Sequence, residues 1–70
     1  VMRDVIEIKC VKGFFITDSV GVMQGEVWEF IGQRDGSDLV FECKKGINRG
    51  MSLPLDTETL VNNFEFIAES

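Results

Sequence analysis

Cys10 and Cys43 are the only thiols in a 70-residue chain that contains neither histidine nor tyrosine. A reactive cysteine needs a neighbour that lowers its pKa, and a zinc ribbon or finger needs ligands paired at short spacing. Neither condition is met, so both residues read as buried free thiols in a reducing compartment; a disulfide would require the fold to bring their strands together. General acid–base catalysis would rest on carboxylates alone, with no nucleophile beside a base. Asp35 and Asp38 flank a glycine, but a calcium loop needs more oxygen ligands at regular spacing, and the pair reads as turn chemistry. The expectation is a protein without catalytic residues, metal or cofactor, and therefore one that acts by contact.

The contact surfaces that residue types suggest are two. Lys44, Lys45 and Arg49 concentrate positive charge in a chain with 12 acidic and 7 basic residues and a net charge of −5. They supply an alternative, nucleic-acid-binding reading, which the overall acidity opposes because like charge repels a phosphate backbone. Aromatic stacking gives it no support, since Trp28, Phe30, Phe41, Phe64 and Phe66 fall where a core is expected. The second surface is the segment from Phe14 to Met23, which holds more apolar side chains than a surface loop normally carries. It either folds over an open end of the domain and closes the core, or forms a protein-binding patch. In the second case Phe15, Val20, Val22 and Met23 are the anchors, with Asp18 and Glu26 at an acidic rim.

These residues must be positioned by a single small domain spanning 1–70, which at this length buries only about 60% of the surface of its unfolded chain. Residues 5–12 alternate, with Ile6, Ile8 and Cys10 on one face, and predict a first strand ended by Gly13. The 14–23 segment predicts a folded-over loop or an irregular hairpin. A second strand runs from Glu26 to Ile31 and stops at Gly32, with the larger Trp28 and Phe30 inward because burying them removes more apolar area from water. Asp35-Gly36 can take the positive φ angles of a tight hairpin turn. A third strand over 38–44 follows, with Leu39, Phe41 and Cys43 inward. After a turn at 45–50, residues 51–55 form a fourth strand, confined to an edge by Pro54. Residues 56–63 predict one helical turn capped by Asp56, and Phe64 and Phe66 face inward on a last strand over 64–68. No run approaches the length of about 20 apolar residues that spans a bilayer, and the start lacks a basic-then-apolar leader pattern, so a cytoplasmic location is expected.

The succession of a first strand, a long loop, tight hairpins joining the next three strands and a helical turn before the fifth resembles the Src-homology-3-like small barrel. The likeness is carried by Gly25-Glu26-Val27-Trp28-Glu29-Phe30-Ile31 and by Gly50-Met51-Ser52-Leu53-Pro54 followed by Phe64-Glu65-Phe66-Ile67. It implies an all-β, five-stranded barrel with one short helical turn before the last strand. Peptide-binding members carry tyrosines in the first loop and an exposed Trp early in strand three; this chain has no Tyr and places Leu39 and Val40 there, so recognition of proline-rich peptides is not carried over. The cysteine–lysine strand followed by a glycine also resembles short barrel proteins of bacteriophages and prophages. That resemblance implies a phage accessory protein that binds and inhibits a host protein; a structural subunit that self-associates through edge strands is a further alternative.

Overall fold

Alternation decides the first strand in the computed structural model, which describes residues 6–34, 36 and 38–67. In β1 (Glu7–Cys10) Ile8 and Cys10 are buried while Lys9 is exposed. The 14–23 segment is an irregular hairpin of two short antiparallel strands, β2 (Phe14–Phe15) and β3 (Gly21–Val22), which pair Phe14 with Val22 and Phe15 with Gly21. Then follow β4 (Val27–Gln33), β5 (Leu39–Lys45), β6 (Ser52–Leu55), the helix α1 (Thr57–Asn63) and β7 (Phe64–Ile67).

Five of the strands form one antiparallel sheet in the order β6-β5-β4-β1-β7, and β2 and β3 form a second. The sheet does not close into a barrel among the described residues: β6 and β7 are its two edge strands. Pro54, opposite Val40, lies on the edge strand β6, where a missing backbone N–H costs no ladder bond. The β4–β5 ladder is interrupted twice. Between the pairs Val27–Lys45 and Trp28–Cys43 an extra residue, Lys44, enters β5; between Phe30–Phe41 and Gly32–Val40 an extra residue, Ile31, enters β4. The second bulge corrects the expected end of the strand at Gly32. One residue is absorbed, Ile31 turns outward and half-exposed, and pairing resumes through Gly32 and Gln33. In the β4–β5 connection, Gly36 takes a φ of 98° and the Arg34 N–H donates to the Asp38 carbonyl at 3.1 Å; Asp35, the other half of the expected turn pair, lies outside the described residues.

The core is built by Ile8, Cys10, Val22, Trp28, Phe41, Cys43, Leu55 and Phe64, with Phe14, Phe30, Leu39, Met51, Leu53 and Leu60 packed around it. Trp28 is sealed from water, as its side of β4 predicts; burying an aromatic of this size stabilises by up to about 5 kcal/mol at 25 cal/mol per Å². Two edge-to-face aromatic pairs join the core to the residues packed around it, Phe14–Phe64 at 5.9 Å between centroids and Phe30–Phe41 at 5.6 Å.

Three expectations near the C-terminal end need correction. The helix is about two turns rather than one, because Leu60 packs on the core and holds it. Asp56 occupies the N-cap position in extended conformation but makes no side-chain capping bond. The C-terminal end of the helix is fixed by Asn63, whose amide donates to the Thr59 carbonyl at 3.1 Å and whose own carbonyl accepts from Val11 and Lys12 at 2.9 and 3.2 Å. Phe66 shares a face with Phe64 but is 65% exposed, since on this edge strand nothing among the described residues packs over it.

Candidate functional site

The hairpin singled out by sequence is tied to the sheet by a carboxylate. Glu26 starts the chain into β4 on the same side as Trp28, and only 3% of it is exposed. Its Oε1 accepts from the Met23 N–H and from the Asn48 side-chain amide, both at 3.0 Å, and its Oε2 accepts from the Asn48 backbone N–H at 2.9 Å. The same Asn48 amide donates to the Gly21 carbonyl at 2.7 Å, so one side chain joins β3 to the turn after β5. Burial alone would raise the pKa of Glu26. The donors from Met23 and Asn48 outweigh it and hold the carboxyl below its ordinary value. The Trp28 indole N–H, buried and without a partner in hydrogen-bond geometry among the described residues, lies near enough to favour the charged form as well.

The approach requires glycine at 46. Its φ is 131°, and a Cβ there would stand 2.6 Å from Glu26 Oε2. No motif announces this arrangement, because an acidic residue at the head of a strand ordinarily reads as solvated. The available signal was the Gly46-Ile47-Asn48 turn, whose Gly and Asn are the residues that let backbone and amide come close to a buried acceptor.

The six expected contact residues therefore divide. Phe15 is 76% exposed, Met23 and Asp18 are exposed, and Val20 is half-buried. Val22 and Glu26 are corrected: Val22 is a core residue and Glu26 an internal acceptor, so neither is a surface anchor or a rim charge. Phe15 lies across Gly21, where its ring leaves no room for a Cβ. Gly13, Phe14, Phe15, Val22, Met23 and Gln24 enclose a shallow hollow of about 300 Å³, floored by the core and walled by the exposed Phe15 and Met23. Thr17 holds the hairpin tip, its hydroxyl accepting from the Ser19 and Val20 N–H groups at 3.3 and 3.1 Å.

The opposite end of the sheet carries a larger apolar groove of about 440 Å³ that sequence reasoning missed. Ile6, Phe30, Leu39 and Phe41 form its floor, and Leu60 and Val61 of α1 with Phe64, Glu65 and Phe66 of β7 form its wall. Alternation identified the inward face of these strands but could not say that one end of it would stay uncovered among the described residues.

The basic cluster is less available than its composition suggests. Lys44 reaches Glu29 at 3.6 Å and Glu42 at 3.8 Å, bridging two acidic residues that face each other across β4 and β5; Lys45 and Arg49 are exposed. Cys10 and Cys43 are separate free thiols, both buried. Burial pushes both thiols up, and the negative Glu26 adds to the effect. The Sγ of Cys10 donates to the Lys12 carbonyl at 3.3 Å and that of Cys43 to the Lys45 carbonyl at 3.4 Å. Among the described residues no group of three or more acidic or cysteine side chains could hold a metal ion, and no helix is long and apolar enough to cross a membrane.

No protein-family model, curated protein or solved structure matches the chain.

Proposed function

We propose that the chain is a non-enzymatic protein-binding module built on a Src-homology-3-like small barrel, and that its β2–β3 hairpin is a contact surface. The observation that carries this is the contrast within the hairpin. Its base is fixed by Val22 in the core and by the Glu26–Asn48 bonds, while Phe15, Ile16 and Met23 present apolar side chains to solvent around a hollow. A pre-ordered backbone holding an exposed aromatic lowers the entropic cost of association, and aromatic anchors beside small pockets dominate interface energies. The net charge of −5 and Asp18 at the hairpin tip favour a basic partner.

Support for the barrel reading lies in the strand order, in which the chain returns through α1 to pair its last strand with its first. The finer proposal, that the protein is a phage-encoded accessory that binds and inhibits a host protein, is supported by the resemblance of its cysteine–lysine strand to short phage barrel proteins. Capture from a host lysate tests the contact role. A Phe15→Asp, Met23→Asp double variant changes exposed positions only and should lose the specifically captured protein; an unchanged set of captured proteins removes the hairpin as the interface.

A further inference from the structure

We infer that residues 13–24 form a strap that lifts from the sheet as a unit, hinged at the glycines that bound it and latched by the carboxylate of Glu26. The strap sets the fraction of molecules in which the hairpin surface is in place.

Main-chain bonds mark where the strap begins and ends. Before it, the Val11 and Lys12 N–H groups donate to the Asn63 carbonyl at 2.9 and 3.2 Å; after it, the Gly25 N–H donates to the Cys10 carbonyl at 2.7 Å. Among the described residues no backbone hydrogen bond joins 13–22 to the five-stranded sheet or to α1. β2 and β3 pair with each other, and Ile16, Thr17 and Val20 bond within the hairpin tip. The Met23 carbonyl accepts from the Glu26 N–H at 3.2 Å in the turn that leads back to β4. Gly13 and Gly25 stand at the two junctions, the latter at a φ of 95°, and glycine absorbs a hinge rotation at the least steric cost.

Two side-chain bonds carry the rest of the polar attachment, and both converge on one pair of residues. Glu26 Oε1 accepts from the Met23 N–H, and the Gly21 carbonyl accepts from the Asn48 amide that also bonds Glu26. The apolar attachment is Val22 in the core and Phe14 against Phe64. What remains when the strap lifts is a whole sheet, because its four ladders contain no strap residue and Ile8, Trp28, Phe41, Leu55 and Phe64 still pack together. A unit joined by so few bonds opens at a lower free energy than the ladders. Met23 couples latch to surface: its N–H is held by Glu26 while its side chain stands exposed beside the hollow.

Hydrogen exchange of the whole protein at neutral pH, followed amide by amide at several low urea concentrations, tests this. The Met23 amide reports the latch, and the slowest amides of the β4–β5 ladder report the sheet. Protection of Met23 should be about tenfold or more below that of the ladder and nearly independent of urea, since little surface is exposed when the strap lifts. Leu53→Ala, on the edge strand β6, should speed ladder exchange several-fold and leave Met23 unchanged, because it weakens latched and lifted forms alike. Glu26→Gln should speed Met23 exchange by about tenfold or more. The strap is overturned if Met23 exchanges with the ladder's urea slope, if it follows the ladder in Leu53→Ala, or if Glu26→Gln leaves it unmoved. Exchange needs no partner, so failure of the strap and failure of lysate capture are separate results.

Discussion

The two ends of the five-stranded sheet are finished by opposite chemistry. At one end the β2–β3 hairpin and the turn after β5 meet over a buried carboxylate, whose three bonds from Met23 and Asn48 lock them to the core beside Trp28, Val22, Cys10 and Cys43. At the other, Phe30, Leu39, Val61 and Phe66 line an apolar groove. A polar clamp has directional bonds that break if the hairpin shifts, so it fixes geometry; an apolar groove is non-directional and retains free energy that a ligand can release by covering it. The clamp is therefore expected to matter for stability, and the apolar surfaces outside it, the exposed side chains of the hairpin and the groove, for binding.

Removing the clamp should have the largest effect. Glu26→Ala strands three donors in a buried site and should cost about 3 kcal/mol, a large share of a total of roughly 4–10 kcal/mol for a domain of this size, read from urea unfolding. Gly46→Ala forces a Cβ against the carboxylate at a backbone angle unfavourable for alanine, and should cost about 2 kcal/mol. If either variant unfolds at the wild-type midpoint, the clamp does not hold the fold.

Acid gives a graded version of the same test. Because the folded pKa of Glu26 lies below its unfolded value, its contribution is complete above the unfolded pKa of about 4.3 and is lost as pH falls through the lower folded value. Glu26→Gln should therefore be less stable than wild type at neutral pH, and the gap should narrow on acidification. A gap independent of pH would remove the carboxylate's charge from the explanation.

At the open end, Phe66→Ser and Val61→Ser should change stability by no more than about 0.5 kcal/mol, since both side chains already face water. A loss comparable to that of Glu26→Ala would mean that the groove wall is structural and would dissolve the contrast between the ends. The smallest expected signal is kinetic: Cys10 and Cys43 should resist iodoacetamide in the native protein at neutral pH and react fully in denaturant, as burial and raised pKa values dictate. Rapid native labelling of either would mean that the clamped end opens.

Much of the sheet was legible because alternation is local. Ile8 with Cys10, Trp28 with Phe30, and Phe41 with Cys43 each declare a face within a few residues, and Pro54 declares an edge. The bulges at Ile31 and Lys44 were not legible, since they depend on which residue of the facing strand each pairs with. The Glu26–Asn48 bond links residues 22 positions apart and appears only once register is fixed, so Glu26 read as a rim charge and Val22 as an exposed anchor. Phe66 shows a third limit. Its face followed from the pattern, but whether anything covered that face depended on how far the sheet curls.

Capture from a lysate by the wild-type protein, the Phe15→Asp, Met23→Asp variant and the Phe66→Ser variant, all confirmed as folded, tests most directly the claim that this protein works through surfaces kept apolar outside a clamped core. The account predicts a specific protein retained by the wild type and lost from the hairpin variant at unchanged stability. The same proteins retained by all three would contradict it.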